Sequence, residues 1–322
     1  MTGMDAVLTS IFEPGFFTSE PVRVAVVVGG AVSLVSAVVG VFTVIRGQSF
    51  AGHSLGDLGT TGGAGAFLVG ANPLWGFVTF AIIGAGAMEL FGARRPRGRD
   101  MATGIVLGAG LGIAALFLYL GTTQSNMTGA TITILFGSMF VIRASMIPVF
   151  ALLSVLALAV VALLYRPLLL SAVSQDIASA RGVPVRVVGA LHLLAMAVAV
   201  SLSCVTIGAI LSTAVLIGPA AAALRLTKRP GLAIAWAAVI GLAVTWLGIL
   251  LAYDSYYWPP AGRGWPVSFF VVALILVVYL LADLANGQKA RRAGPRAIAS
   301  DKGPGVVAGW AWPSWPPEPG AE

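Results

Sequence analysis

An all-α fold is predicted: a polytopic transmembrane helical bundle of about eight or nine spans plus one short re-entrant helix. Three features of the sequence predict it. Of the 322 residues 58% are hydrophobic and only 10% are charged, and the mean hydropathy is +0.95. Soluble domains carry about a quarter charged residues. A water-facing surface of this size needs more polar groups than the chain has, whereas lipid tails accept apolar side chains. Second, the 40 glycines and many alanines let membrane helices approach closely, where packing replaces the missing hydrophobic drive. Third, the net charge of +7 is gathered in short clusters between apolar runs, as in cytoplasmic loops. That placement points away from nucleic acid. The single cysteine, Cys204, excludes an internal disulfide and a cysteine-rich metal site. Residues 1–21 carry Asp5, Glu13 and Glu20 without a basic leading region, so they are read as an N-terminal segment and not as a signal peptide.

Apolar stretches of roughly 18–24 residues are the spans. The first is 22–45. The second, 50–70, is polar and glycine-dense, with Gly52, His53, Gly56, Asp57, Gly59, Gly62, Gly63 and Gly65. The third is 74–91, and a basic loop from Arg94 to Arg99 separates it from the fourth, 101–120. The apolar segment 131–142 is too short to cross and reads as re-entrant or interfacial. Then come 147–164, 187–207, 209–226, 232–252 and 267–284. The domain division is therefore an N-terminal segment (1–21), a transmembrane domain (22–285) and a tail (286–322). The Arg-, Pro-, Gly- and Trp-rich tail cannot bury a core and is expected to be a disordered cytoplasmic tail.

Placing Arg94–Arg99 in the cytoplasm fixes the other faces by parity. Arg46, Arg166, Arg181, Arg186, Arg225, Lys228, Arg229 and the tail also fall inside, and only Arg23, Arg143 and Arg263 fall outside. This agrees with the positive-inside rule and puts the N-terminus outside. Were 131–142 to cross, the downstream basic loops would lie on the wrong face. The chain is thus expected in the cytoplasmic (inner) membrane.

His53 and Asp57 are four residues apart, so on a helix they share a face. Ionisable groups inside a span are costly and mark a pathway or site by default. An imidazole and a carboxylate both suit Zn²⁺ or Mn²⁺. One helix gives two ligands; a symmetric dimer with this helix at its axis would give four. The alternatives are that the two side chains merely pair with each other, or stay wet near the cytoplasmic end. The surrounding glycines suit close helix packing or the lining of a path.

Gly52-His53-Ser54-Leu55-Gly56 also fits G-x-S-x-G, the nucleophile elbow of hydrolases. An intramembrane serine hydrolase using Ser54 with His192 is one alternative function, and a secondary carrier working without an ATPase is another. The elbow, however, requires a strand, a sharp turn and a helix. His192 otherwise reads as a lone buried or lipid-edge histidine. Glu89 and Asp283 fall near cytoplasmic span ends and are expected to be solvated or snorkelling. Gly218 and Pro219 mark a helix kink, because proline removes a backbone donor. No G-x-x-x-x-G-K-[ST] occurs in the chain, so ATP-driven transport needs a separate nucleotide-binding subunit. The stretch 174–186 suits a docking element for it, a short helix capped at Ser174 and ended by Gly182 and Pro184.

These segments resemble the integral-membrane permeases of ABC importers for zinc, manganese and related divalent metals. Gln175-Asp176-Ile177-Ala178-Ser179-Ala180-Arg181-Gly182-Val183-Pro184-Val185 is similar to that family's D-x-x-x-A-x-x-x-G-V-P-V loop. The resemblance implies that Asp176, Ala180, Gly182 and Pro184 contact the ATPase. The run from Ile207 through Ala223 is similar to V-G-x-L-L-V-x-A-L-L-x-x-P-A-A-x-A, a kinked helix near a dimer axis. The third likeness runs from Gly40 through Gly70, where the family has G-D-A-L-S-H-A-x-L-P-G. Here His53 stands at the Asp position, Asp57 at the His position and Thr61 at the proline position. The pair is exchanged but its spacing survives. The resemblance covers about residues 20–285. It implies a homodimeric permease with a cytoplasmic ATP-binding subunit, an extracytoplasmic solute-binding protein and a divalent metal as substrate. No cofactor bound by this chain itself is expected.

Overall fold

A computed structural model describes residues 16, 18–92, 99–124, 128–258, 262 and 264–292. No strand occurs among them. The basic loop 94–98, most of the N-terminal segment and the tail beyond residue 292 lie outside the described residues.

The helices are α1 (Glu20–Ile45), α2 (Ser49–Leu68), α3 (Pro73–Gly92), α4 (Arg99–Gln124), α5 (Thr128–Phe136), α6 (Ile147–Leu163), α7 (Tyr165–Val173), α8 (Gln175–Ala180), α9 (Val185–Ile207), α10 (Ser212–Leu226), α11 (Pro230–Asp254) and α12 (Val267–Arg292). Short 3-10 turns occur at Met139–Val141, Ala144–Met146 and Ser255–Tyr257. Each expected span contains a helix, with ends shifted by a few residues. Proline opens α1, α6 and α11 within their first turns, where its missing N–H costs no intrahelical bond. Helix α12 continues past the expected boundary at residue 285 to Arg292. Its last turns carry Lys289, Arg291 and Arg292, residue types of high helix propensity.

Among the described residues, six helices are long and apolar enough to cross a membrane: α1, α3, α6 with the turn before it, α9, α11 and α12. Helix α2 falls short in apolarity, being rich in glycine and threonine. In α4 the apolar part is Leu107–Thr123. Helix α10 has 15 residues, about 22 Å of helix against a hydrocarbon core of about 30 Å. All three nevertheless run within the bundle. Helix α2 packs along α3 and α4, and α10 along α1, α11 and α12.

Helix α1 is the centre of the bundle, touching α6, α9, α10 and α11. Two hydrophobic cores meet on it. One joins Val35 and Phe42 of α1 to Leu55, Phe77, Phe150 and Met196 of α2, α3, α6 and α9. The other joins Ala37 and Val41 of α1 to Ala220, Ala237 and Val271 of α10, α11 and α12. Buried serines link α1 to α9, Ser36 Oγ lying 2.9 Å from Ser203 Oγ. On the outer surface, Ile83, Leu116, Val155, Leu163, Val239 and Leu281 stay exposed, as lipid-facing side chains do.

The glycines of this bundle are packing surfaces. A Cβ on Gly62 would lie 2.1 Å from the Gly76 carbonyl oxygen, and one on Gly76 equally close to that of Gly62. The α2–α3 hairpin thus closes backbone on backbone. A Cβ on Gly40 of α1 would lie 1.8 Å from the Leu216 carbonyl oxygen of α10. The packing role of the glycine-dense second span is therefore observed directly.

Segment 131–142, expected to be re-entrant or interfacial, holds the end of a short helix and a 3-10 turn. Helix α5 has 9 residues, about 14 Å long, under half the bilayer core. Gly137, at φ +73°, follows its end. The end of α5 docks on the junction between α9 and α10, where Ala209 N donates to Ile134 O at 3.1 Å and Ile210 N to Leu135 O at 3.3 Å. This junction corrects one boundary. The span expected to start at residue 209 becomes helical only at Ser212, because Gly208 adopts φ +99°. A Cβ there would also strike the α5 backbone, 2.3 Å from Leu135 O. Helix α10 carries Pro219 in its interior, where the ring removes one backbone donor; the break between α9 and α10 lies before it, at Gly208.

At the end that parity assigns to the cytoplasm, Arg46 donates to Ser171 Oγ of α7, and Arg225 pairs with Asp283 at 3.1 Å. At the other end, Asn72 and Arg143 line one cavity of about 480 Å³. Trp258, Phe270, Phe269 and Trp265 form a chain of ring contacts there, and Tyr253 meets Tyr257, the composition of an interfacial aromatic belt.

Candidate functional site

Helix α2 presents His53 and Asp57 one turn apart, as their spacing requires. His53 Nε2 lies 3.4 Å from Asp57 Oδ2, with side-chain exposures of 47% and 13%. Asp57 is the more enclosed. From Ser49 to Asp57 the helix rises roughly 12 Å, so the carboxylate stands about two turns into α2. The other ring nitrogen, His53 Nδ1, lies 3.1 Å from Thr213 Oγ1 on α10. The imidazole is thus held at both nitrogens. Behind it, a Cβ on Gly56 would lie 3.2 Å from Ser212 Oγ and 3.9 Å from Cys204 Sγ, so α2, α9 and α10 converge at this level.

The arrangement offers one imidazole nitrogen and one carboxylate toward a common point. No group of three or more His, Cys, Asp or Glu side chains able to hold a metal occurs among the described residues. Two donors from one chain bind a divalent cation weakly, and a second copy, water or backbone oxygen must complete its shell. A transported ion has to leave as well as enter, and a two-donor site suits that need.

The hydrolase alternative lacks its geometry. Ser54 is fully buried inside a continuous helix, and its Oγ donates to Phe50 O at 2.9 Å. His192 sits on α9, fully buried, edge-on to Phe42 at 6.4 Å between centroids. Neither of its ring nitrogens makes a hydrogen bond.

The docking stretch folds as a short helix–turn. Ser174 Oγ caps α8 by accepting from Ile177 N at 3.3 Å. Gly182, at φ +78°, closes the helix, with Val183 N donating to Ala178 O at 3.0 Å and Gly182 N to Ser179 O at 2.9 Å. This crossed pair satisfies the terminal carbonyls. Ala178 is buried against the bundle, while Asp176, Ala180, Gly182 and Pro184 are exposed. Val173 and Ile177, 82% and 50% exposed, add an apolar patch at the cytoplasmic end. A cavity of about 450 Å³ separates α7 from the α1–α2 turn, lined by Arg46, Gln48, Met88, Ser171 and Gln175. Sequence reasoning missed Thr213 and the Arg46–Ser171 link. A hydroxyl in an apolar span was the available signal for the first.

A model of the ABC 3 transport family matches residues 18–283. The chain is 26% identical over 243 residues to the manganese transport system membrane protein MntC of Listeria monocytogenes, covering 76% of this chain and 85% of that one. It is 25% identical over 233 residues to the high-affinity zinc uptake system membrane protein ZnuB of Haemophilus influenzae, covering 72% and 88%. Among solved structures, PsaBC from Streptococcus pneumoniae, in complex with Fab, superposes with a TM-score of 0.71 at 20% identity, over 83% of this chain and 92% of that chain. This last likeness is one of fold.

Proposed function

The chain belongs to the ABC 3 transport family, and on that footing we propose how it works: a divalent cation of the zinc or manganese class passes through it by way of His53 and Asp57. The chain is the multi-pass membrane permease of an ABC importer. The proposal concerns its cargo path and its partners. The observation that carries it is the His53–Asp57 pair on one face of α2, its carboxylate largely enclosed and its imidazole half-exposed. An imidazole beside a carboxylate in low dielectric is costly without a function, and divalent transition ions take just these donors. The pair exchanges the order of the family pattern and keeps its chemistry.

The chain carries no P-loop motif, so hydrolysis belongs to a cytoplasmic ATP-binding subunit seated on α7, α8 and the turn to α9. The exposed Asp176, Ala180, Gly182 and Pro184 with the apolar Val173 and Ile177 suit such a partner. An extracytoplasmic solute-binding protein would deliver the ion to the opposite face. Two copies of the permease would bring two imidazoles and two carboxylates together, the four ligands a tetrahedral ion takes.

The test is ion uptake in proteoliposomes holding the permease, its ATP-binding subunit and the binding protein. His53→Ala and Asp57→Ala should each abolish uptake of Mn²⁺ or Zn²⁺ while the purified variants remain folded and bound to the ATP-binding subunit. Uptake at the unsubstituted rate in either variant would refute the path.

A further inference from the structure

The residue facing His53 from the other wall has no counterpart in the pattern that marks the His–Asp pair. Thr213 lies 160 positions away, and its Oγ1 is 3.1 Å from His53 Nδ1. The opposite ring nitrogen points at Asp57, 3.4 Å away. We propose that Thr213 is a positioning residue of the cation path, its hydroxyl holding the His53 ring so that Nε2 and the Asp57 carboxylate meet a divalent cation together. This rests on the reading of His53 and Asp57 as the path.

The chemistry requires a partner of two faces. Without an ion, a neutral ring carries its proton on Nε2, donating toward Asp57, and Nδ1 accepts from the Thr213 hydroxyl. With an ion on Nε2, that nitrogen must offer its lone pair, and the ring proton sits on Nδ1, which donates to Thr213 Oγ1. A hydroxyl serves as donor in the first state and acceptor in the second. Such partners fix the tautomer and ring orientation of a metal-binding histidine.

The location of Thr213 is well defined. It is the second residue of α10, just after the junction pinned to α5 by Ala209 N and Ile210 N. The hydrogen bond also crosses a seam. His53 stands on α2, whose core residues belong to the first cluster, and Thr213 on α10, whose core residues belong mainly to the second. The contact therefore sets the ion's donors against both halves of the molecule.

The chain has only two histidines, so imidazole ¹⁵N spectra of the full-length permease in detergent resolve His53 from the buried His192. Zn²⁺ titration of those spectra, with uptake in proteoliposomes, forms the test. Thr213→Val keeps the shape and removes the hydroxyl; Thr213→Ser keeps the hydroxyl. In the unsubstituted chain Zn²⁺ should shift His53 Nε2 and leave the proton on Nδ1. The valine variant should need on the order of 10–100-fold more Zn²⁺ for half-shift and for half-maximal uptake, with the melting temperature little changed, and the serine variant should stay near the unsubstituted values. Thr213→Ala supplies the same comparison if the valine variant does not fold. If hydroxyl-free variants match the unsubstituted chain while His53→Ala is inactive, Thr213 has no such role and the path stands. If His53→Ala transports normally, both readings fall.

Discussion

The donor pair was legible because an i, i+4 spacing on a helix fixes a shared face before any tertiary structure exists. The Thr213 contact was not, since it joins residues 160 apart and depends on how α10 is seated. This division has a consequence for the exchanged order of the pair. In the double variant His53→Asp/Asp57→His the same two groups remain on the same face, but the ring moves one turn deeper, away from Thr213. Uptake should fall by at least about tenfold, the lower end of what an outer hydrogen-bond partner contributes, despite an unchanged ligand inventory. Parallel measurement of Mn²⁺ and Zn²⁺ uptake would show it; full activity would mean that ligand identity alone matters. The buried Ser54 and His192 teach the complementary lesson. A G-x-S-x-G string acquires meaning only from its backbone, and a continuous helix offers no elbow.

Helix ends followed the hydrophobic pattern closely where polar punctuation exists, as at Pro21, Gly47 and Pro230. They were misjudged where backbone conformation decides. Nothing apolar distinguishes residues 209–211 from the helix that follows, yet the left-handed Gly208 and the bonds from Ala209 N and Ile210 N to α5 keep them unwound. The short helix α8, the proposed docking element, was readable from its Ser174 cap and Gly182 stop. A six-residue helix is unstable alone, so its cap matters. Ser174→Ala should cost about 1 kcal/mol of local stability and weaken association with the ATP-binding subunit modestly. Ile177→Asp, which places a charge in the exposed apolar patch, should abolish it. Co-purification of the two subunits and uptake-coupled ATP hydrolysis would measure both. Retention of a full complex by the aspartate variant would move the docking surface elsewhere.

At the level of the whole molecule, charge placement alone predicts which ends face the cytoplasm, and the structure adds links there that the sequence does not show, Arg46 with Ser171 and Arg225 with Asp283. The division into two cores sharing α1 was not readable, because it follows from which helices touch. If access alternates by relative motion of those cores, a covalent tie across the seam should arrest transport. Gly56→Cys with Ser212→Cys, in a Cys204→Ser background, places a new Cβ 3.2 Å from the present Ser212 Oγ. Oxidation should stop uptake and reduction restore it. Ala37→Cys with Gly241→Cys, whose Cβ atoms would stand 3.5 Å apart within disulfide range, lies inside one core and should leave uptake intact when oxidised. Equal rates for both oxidised pairs would count against motion along this seam.

The meeting of Gly40 with the Leu216 carbonyl bears on what kind of motion is open to the molecule. With no side chain between the two backbones, the crossing has nothing to compress and no clearance for sliding. It suits a fulcrum: were α1 and α10 to tilt about it like crossed levers, a small tilt there would be magnified toward their far ends, where a transported ion would be admitted on one side and released on the other.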